Sequence, residues 1–289
     1  MKVSRYLSGG LEGWAVANPA TGAWHGCTED HAAYPGPLDA YIKNGVYALA
    51  GAAQEMQRQA VLDLHAVRWL PPVAHPPKII CVGLNYIDHT AESGFEQPDY
   101  PTLFSRFTTS VIGHDEPLHY PVLSPSFDYE GELAVIIGKA GKAISRDDAL
   151  NHVLGYSIFN DGSVREYQFK TPQWIMGKNF DGSGAFGPYL VTADELPPGA
   201  RGLQLETRLN GVTVQSANTR DMVFDVESLI AIISEVMTLE AGDVIVAGTP
   251  AGVGHAREPK LYMQPGDLCE VEIEGIGLLS NRVQQPDLA

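Results

Sequence analysis

Positive charge is scarce in this sequence. Against 35 Asp and Glu stand 19 Lys and Arg, a formal net charge of −16. No basic stripe is available, which argues against a nucleic-acid partner. The same excess would repel an anionic metabolite unless the site carries local positive charge, from a metal ion or a few placed Arg and Lys. Cysteine is scarcer still. Cys27, Cys81 and Cys269 are odd in number and far apart, and they fit neither a disulfide framework nor a CxxC site. No apolar run approaches the roughly 20 residues of a membrane span. The opening MKVSRYLSGG has no apolar stretch of signal-peptide length. GxGxxG and GxxxxGK[ST] are both missing, so a nucleotide fold has no motif support. The expectation is a reducing, cytoplasmic compartment with no membrane and no nucleic acid.

What is present suits a large core. The 289 residues are 44% hydrophobic and include 30 Gly and 20 Pro, a balance of turns and short strands rather than a helix bundle. Four prolines in LPPVAHPP read as a stiff linker. The expected division is a small α+β N-terminal domain over 1–70, a linker over 71–77 and a catalytic domain over 78–289. KVSRYL and WAVAN read as strands of the first part, with helices around Leu38–Asn44 and Tyr47–Gln59. Beyond the linker, KIICVGL, DVIVAG and LCEVEIEG read as strands. LETRLNGVTVQ reads as a hairpin turning at Asn210–Gly211. A helix over Val226–Met237 follows Asp225, a suitable N-cap.

The chemistry gathers in five segments. In FDYEGELAVIIG, Asp128, Glu130 and Glu132 enter a hydrophobic strand. Alternation would put all three on one face, with neighbours roughly 6.5–7 Å apart. Such acids repel one another unless a cation sits among them or water screens them at an exposed strand end. GYSIFND ends a second apolar strand in Asn160–Asp161. A strand-end Asp beside the two glutamates would make an all-oxygen site for a hard cation such as Mg²⁺ or Mn²⁺. Asp128 lies furthest out and could instead cap the turn at Ser126–Phe127. In NYIDHTAESG, His89 and Glu92 are three apart, neighbours on a short helix closed by Gly94. Such a pair suits a general base; an isolated H-x-x-E is more often a surface contact. The segment after Asp161 supplies Arg165, Gln168 and Lys178. GDVIVAGTPAGVG adds a Gly-rich turn whose N–H groups and Thr249 hydroxyl could bind a carboxylate.

In order, N-Y-x-x-H-x-x-E, D-Y-E-x-E-L-A-V-x-I-G, N-D-x-S, Q-W-x-x-G-K-x-F-D and G-T-P-x-G-V-G resemble the fumarylacetoacetate hydrolase family over about residues 78–283. The resemblance implies a mainly β, α+β fold with a mixed β-roll core, usually a homodimer. It implies one Mg²⁺ or Mn²⁺ on Glu130, Glu132 and Asp161, and His89 with Glu92 as the water-activating pair. Lys178 would face the reacting carbonyl, and Arg106, Arg165, Gln168 and Thr249 would contact the substrate. The implied activity is hydrolysis of a carbon–carbon bond in an acylpyruvate-type β-diketo acid, in catabolism of aromatic compounds or sugar acids. A tautomerase or isomerase, or an oxaloacetate-type decarboxylase, would use the same residues, and a non-catalytic binding protein would keep only the fold. The chain departs from the pattern where NDGSVRE replaces N-D-x-S-A-R-D, and where Arg106 stands in place of a frequent Lys.

Overall fold

The computed structural model describes residues 1–92, 94 and 96–286. An 11-stranded sheet forms the spine. Its centre is Gly131–Ile137, paired antiparallel with Val153–Asn160 on one side and Val244–Val246 on the other. Ile79–Gly83 then Thr102–Ser105 continue one edge. Gly184–Thr192 continues the other. A second sheet of five strands runs Val212–Asn218, Gln204–Leu209, Leu268–Ile273, Gly277–Gln284 and Leu118–His119. The architecture is mixed, mainly β with few helices, as the sequence implies.

The apolar run LAVII is continuous because both faces of its strand are covered. Leu133, Val135 and Ile137 pack in one buried cluster with Leu205, Leu209, Val271 and Ile273 of the second sheet. Ala134 and Ile136 face the other cluster, which contains Val3, Trp14, Leu38, Ile42 and Leu49. Residues 1–70 therefore pack onto the central sheet, and Lys2–Ser8 extends it through Lys2↔Val191 and Val3↔Leu190. The proline-rich stretch is anchored as well: the N–H groups of Ala74 and His75 donate to Asp39 at 2.9 and 3.0 Å. The three thiols are free and buried.

Local signals set several boundaries. Asn210 and Gly211 both take positive φ, 52° and 78°, as a tight hairpin turn between Gln204–Leu209 and Val212–Asn218 requires. The helix Val226–Val236 starts where the Asp225 carboxylate accepts the Ser228 N–H at 3.0 Å. Arg146 pairs with the same carboxylate at 2.5 Å. Asp225→Ala should therefore lower the unfolding free energy by about 1–2 kcal/mol. Urea denaturation with an unchanged m-value checks this; an unchanged midpoint would show that the cap contributes nothing.

Candidate active site and acidic centre

Strand pairing brings the acids together. Gly131 and Glu132 open the central strand opposite Asn160 and Phe159. The chain then turns at Asp161, whose N–H donates to the Glu130 carbonyl at 2.8 Å. Carboxylate oxygens of Glu130, Glu132 and Asp161 consequently lie within 4.8 Å of one another, all buried. The intervening Gly131 is forced, since a Cβ there would stand 2.2 Å from Thr207 Oγ1.

Asp128 does not join them. The strand expected over this whole segment is broken: Phe127–Asp128 pairs with Ser163–Val164 in a separate ladder, ahead of Gly131–Ile137. Simple alternation across Asp128, Glu130 and Glu132 therefore fails. The Asp128 carboxylate accepts the N–H groups of Gly254 and His255, each at 2.8 Å, and Arg165 Nε at 2.8 Å. It braces the Gly-rich turn instead of capping Ser126–Phe127.

Cations hold two of the three clustered acids. Lys178 Nζ bridges Glu130 at 2.6 Å and Asp161 at 2.7 Å. Arg106 Nη1 meets Asp161 at 2.6 Å, and Arg165 Nη1 meets Glu130 at 2.6 Å. Burial pushes the Glu130 carboxyl up, but Lys178 and Arg165 outweigh it and bring its pKa to about 2. Burial likewise opposes the Lys178 ammonium, yet Asp161 and Glu130 hold its pKa above the usual value. Glu132 has no such partner. Its carboxylate accepts one N–H, from Gly248 at 2.5 Å. Burial, then Asp161 and Glu130, push its pKa well above the carboxylate range. A three-carboxylate, all-oxygen set with one member short of positive charge fits a hard divalent cation.

The Gly-rich turn binds carboxylates, but they are the protein's own. Gly248 serves Glu132, Gly252 serves Glu92 at 2.9 and 3.0 Å, and Gly254 serves Asp128. The Thr249 hydroxyl donates to the Gly131 carbonyl at 3.0 Å and accepts from Gln215 Nε2 at 2.8 Å. Thr249 still borders the cavity described next.

Above the acids lies a cavity of about 290 Å³. Glu130, Glu132 and Lys178 form its floor, with exposures of 4%, 2% and 1%. His89, Arg165 and Gln168 line it, and Phe104, Phe169, Trp174 and His255 complete the wall. His89 Nδ1 lies 2.9 Å from Glu92 on the helix Ile87–Glu92, and Gly94 follows with φ 75°. Arg165 keeps Nη2 buried and without a partner among the described residues, although Nη1 reaches Gln168 at 2.9 Å. Sequence reasoning missed Phe104, Phe169, Trp174 and His255. The only available signal was position, since His255 directly follows the Gly-rich turn and the two aromatics at 169 and 174 fall between Arg165 and Lys178.

Arg106, expected on the substrate, stands elsewhere. All five of its N–H donors are used, by Ser110 twice, Asp161, Gly162 and Ser183. It positions Asp161 from behind and does not line the cavity. The NDGSVRE departures also lie off the cavity. Val164 is buried, and Glu166 accepts from Ser124 at 2.6 Å. Gly162 leaves no room for a side chain, because a Cβ would sit 2.0 Å from the Ser183 carbonyl.

Comparison with known proteins agrees with this geometry. Residues 78–284 match the family model described as fumarylacetoacetate (FAA) hydrolase C-terminal. A Xenopus laevis protein named as a mitochondrial oxaloacetate tautomerase is 40% identical over 246 residues, 84% of this chain and 77% of that one. A solved fumarylacetoacetate hydrolase from Exiguobacterium antarcticum superposes with a TM-score of 0.84 at 38% identity, covering 99% of this chain and 100% of the other. The 2-hydroxyhepta-2,4-diene-1,7-dioate isomerase from Mycobacterium marinum superposes with 0.75 at 31% identity, covering 99% and 98%. No helix among the described residues is long and apolar enough to cross a membrane.

The charge arrangement predicts unequal costs for two isosteric changes. Asp161→Asn strands Arg106 and Lys178, both buried, and should destabilise the metal-free protein by about 3–5 kcal/mol. Glu132→Gln removes a carboxylate that its neighbours repel, and should stay within about 1 kcal/mol of wild type. Urea denaturation in chelator compares them, and equal losses would contradict the charge assignment.

Proposed function

The chain belongs to the fumarylacetoacetate hydrolase family, and we propose that it catalyses keto–enol tautomerisation of a small 2-oxo acid of the oxaloacetate type, with a divalent cation. The observation that carries the proposal is one cavity lined by Glu130 and Glu132 of the carboxylate triad, by His89, which Glu92 contacts from behind, and by Arg165, whose Nη2 has no partner among the described residues. The 40%-identical relative named as an oxaloacetate tautomerase supports that choice of reaction.

Glu130, Glu132 and Asp161 would hold Mg²⁺ or Mn²⁺, which when bound supplies Lewis-acid polarisation of the 2-oxo acid end. Arg165 Nη2 offers N–H donors to a substrate carboxylate, a charge-assisted bond that also relieves a buried unsatisfied group. Glu92 is fixed by the Gly252 N–H and orients His89, so the imidazole would take a proton from the substrate carbon and deliver it to the enolate oxygen, or carry it the opposite way. Lys178, which lines the cavity, would donate toward the oxygen on which charge develops. Gln168 holds Arg165 in place through Nη1.

A second reaction, hydrolysis of an acylpyruvate, uses the same residues with His89 acting on water. The oriented imidazole–carboxylate pair favours it, as does the 38%-identical solved structure named as a fumarylacetoacetate hydrolase. The proposal includes a homodimer, which sedimentation at micromolar concentration checks; a purely monomeric profile would contradict it.

Two assays separate the reactions: decay of enol-oxaloacetate absorbance, and pyruvate release from acetylpyruvate, each with Mg²⁺ and after chelation. The expected result is Mg²⁺-dependent tautomerisation exceeding hydrolysis. Pyruvate release as the faster reaction would replace the tautomerase assignment with the hydrolase. Glu92→Gln should lower kcat of the dominant reaction by about 10²–10⁴-fold with little change in KM. Full activity in chelator, or an unchanged kcat in Glu92→Gln, would contradict the proposal.

A further inference from the structure

His255 borders the cavity with no part in the chemistry above. Its backbone is fixed at both ends: the N–H donates to Asp128 at 2.8 Å, and its carbonyl accepts from Lys260 Nζ at 2.6 Å. The ring is fixed too. It packs 5.2 Å from the Phe169 ring, centroid to centroid. Nδ1 lies 2.7 Å from the Tyr262 hydroxyl. Tyr262 is itself held through its neighbours, because the Leu261 N–H donates to Gly254 at 3.0 Å and the Met263 N–H to Phe127 at 2.8 Å.

This contact sets the tautomer. The Tyr262 hydroxyl has no other hydrogen-bond partner among the described residues. The arrangement that uses its proton has the phenol donating to Nδ1, which places the ring proton on Nε2. Burial, together with Arg165 and Lys260, lowers the His255 pKa, consistent with a neutral ring carrying one N–H. Nε2 has no partner among the described residues.

Position then assigns a role. The floor of the cavity is nearly inaccessible, whereas Phe169, the neighbour of His255, is 45% exposed. His255 thus stands at the mouth, where the far end of a substrate emerges once its 2-oxo acid end lies on the floor.

We propose that His255, oriented by Tyr262, is a specificity-determining residue that donates Nε2–H to an acceptor on the far end of the substrate. It would favour 2-oxo acids with a second carboxylate over those with an alkyl tail. This rests on the assignment of the floor to the 2-oxo acid end.

Calorimetry on the Mg²⁺-loaded protein tests it without turnover, using oxalate, which has no far group, and L-malate, which has a distal carboxylate. His255→Leu should weaken malate by about tenfold or more, the usual effect of removing a hydrogen bond to a charged group, and oxalate by less than about twofold. Tyr262→Phe should shift malate in the same direction by less, because the ring stays and only its orientation is freed. His255→Gln, which keeps an N–H donor, should recover part of the malate affinity. Equal weakening of both ligands, no change in either, or a wild-type protein that does not bind malate would overturn the proposal. Failure of the tautomerase assignment shows separately, as absent turnover of enol-oxaloacetate while the oxalate–malate contrast persists.

Discussion

Six buried charges alternate in sign from Arg106 through Asp161, Lys178, Glu130 and Arg165 to Asp128, and the site depends on this chain. Its links measure 2.6, 2.7, 2.6, 2.6 and 2.8 Å. Taking these ions out of water costs several kcal/mol each, which close, hydrogen-bonded pairing must offset. Arg106 shows how fully that is met, with five donors on five acceptors. Two groups are left short. Among the described residues, Glu132 has an N–H but no paired cation, and Arg165 has a buried Nη2 but no acceptor for it. A divalent cation would answer the first deficit and, under the proposed function, a substrate carboxylate the second.

The Gly-rich turn 248–254 is the second constraint. It gives backbone N–H groups to Glu132, Glu92 and Asp128, so the proposed metal ligand, the carboxylate behind His89 and the acid that pairs with Arg165 share one short support. Gly252 shows why side chains are excluded. Its φ is 107°, and a Cβ would lie 2.1 Å from the Val214 carbonyl. A preorganised backbone keeps these carboxylates from reorienting as charge moves during reaction.

Much of this was legible because its signals are local. His89 and Glu92 needed only helical spacing, Asp225 only its place before an apolar run, and Asn210–Gly211 only the conformations a tight turn demands. Glu130, Glu132 and Asp161 were legible as two strand ends rich in acid. What was not legible depends on long-range contacts. Asp128 was read by alternation, but the break before Gly131 and the pull of the Gly254 and His255 N–H groups are invisible in its own segment. Arg106 was assigned by resemblance to the substrate; its direction is set by Ser110 and Ser183, on two separate segments. The packing of residues 1–70 onto the sheet depends on pairing Lys2 with Val191, which no local pattern announces. His255 went unread because its significance comes from Tyr262 and from the cavity.

Anomalous diffraction from crystals grown with Mn²⁺, collected at the manganese edge, tests the central claim most directly. The account predicts one strong peak contacting an oxygen from each of Glu130, Glu132 and Asp161. Manganese bound elsewhere, or an empty triad still bridged by Lys178 at saturating Mn²⁺, would contradict it.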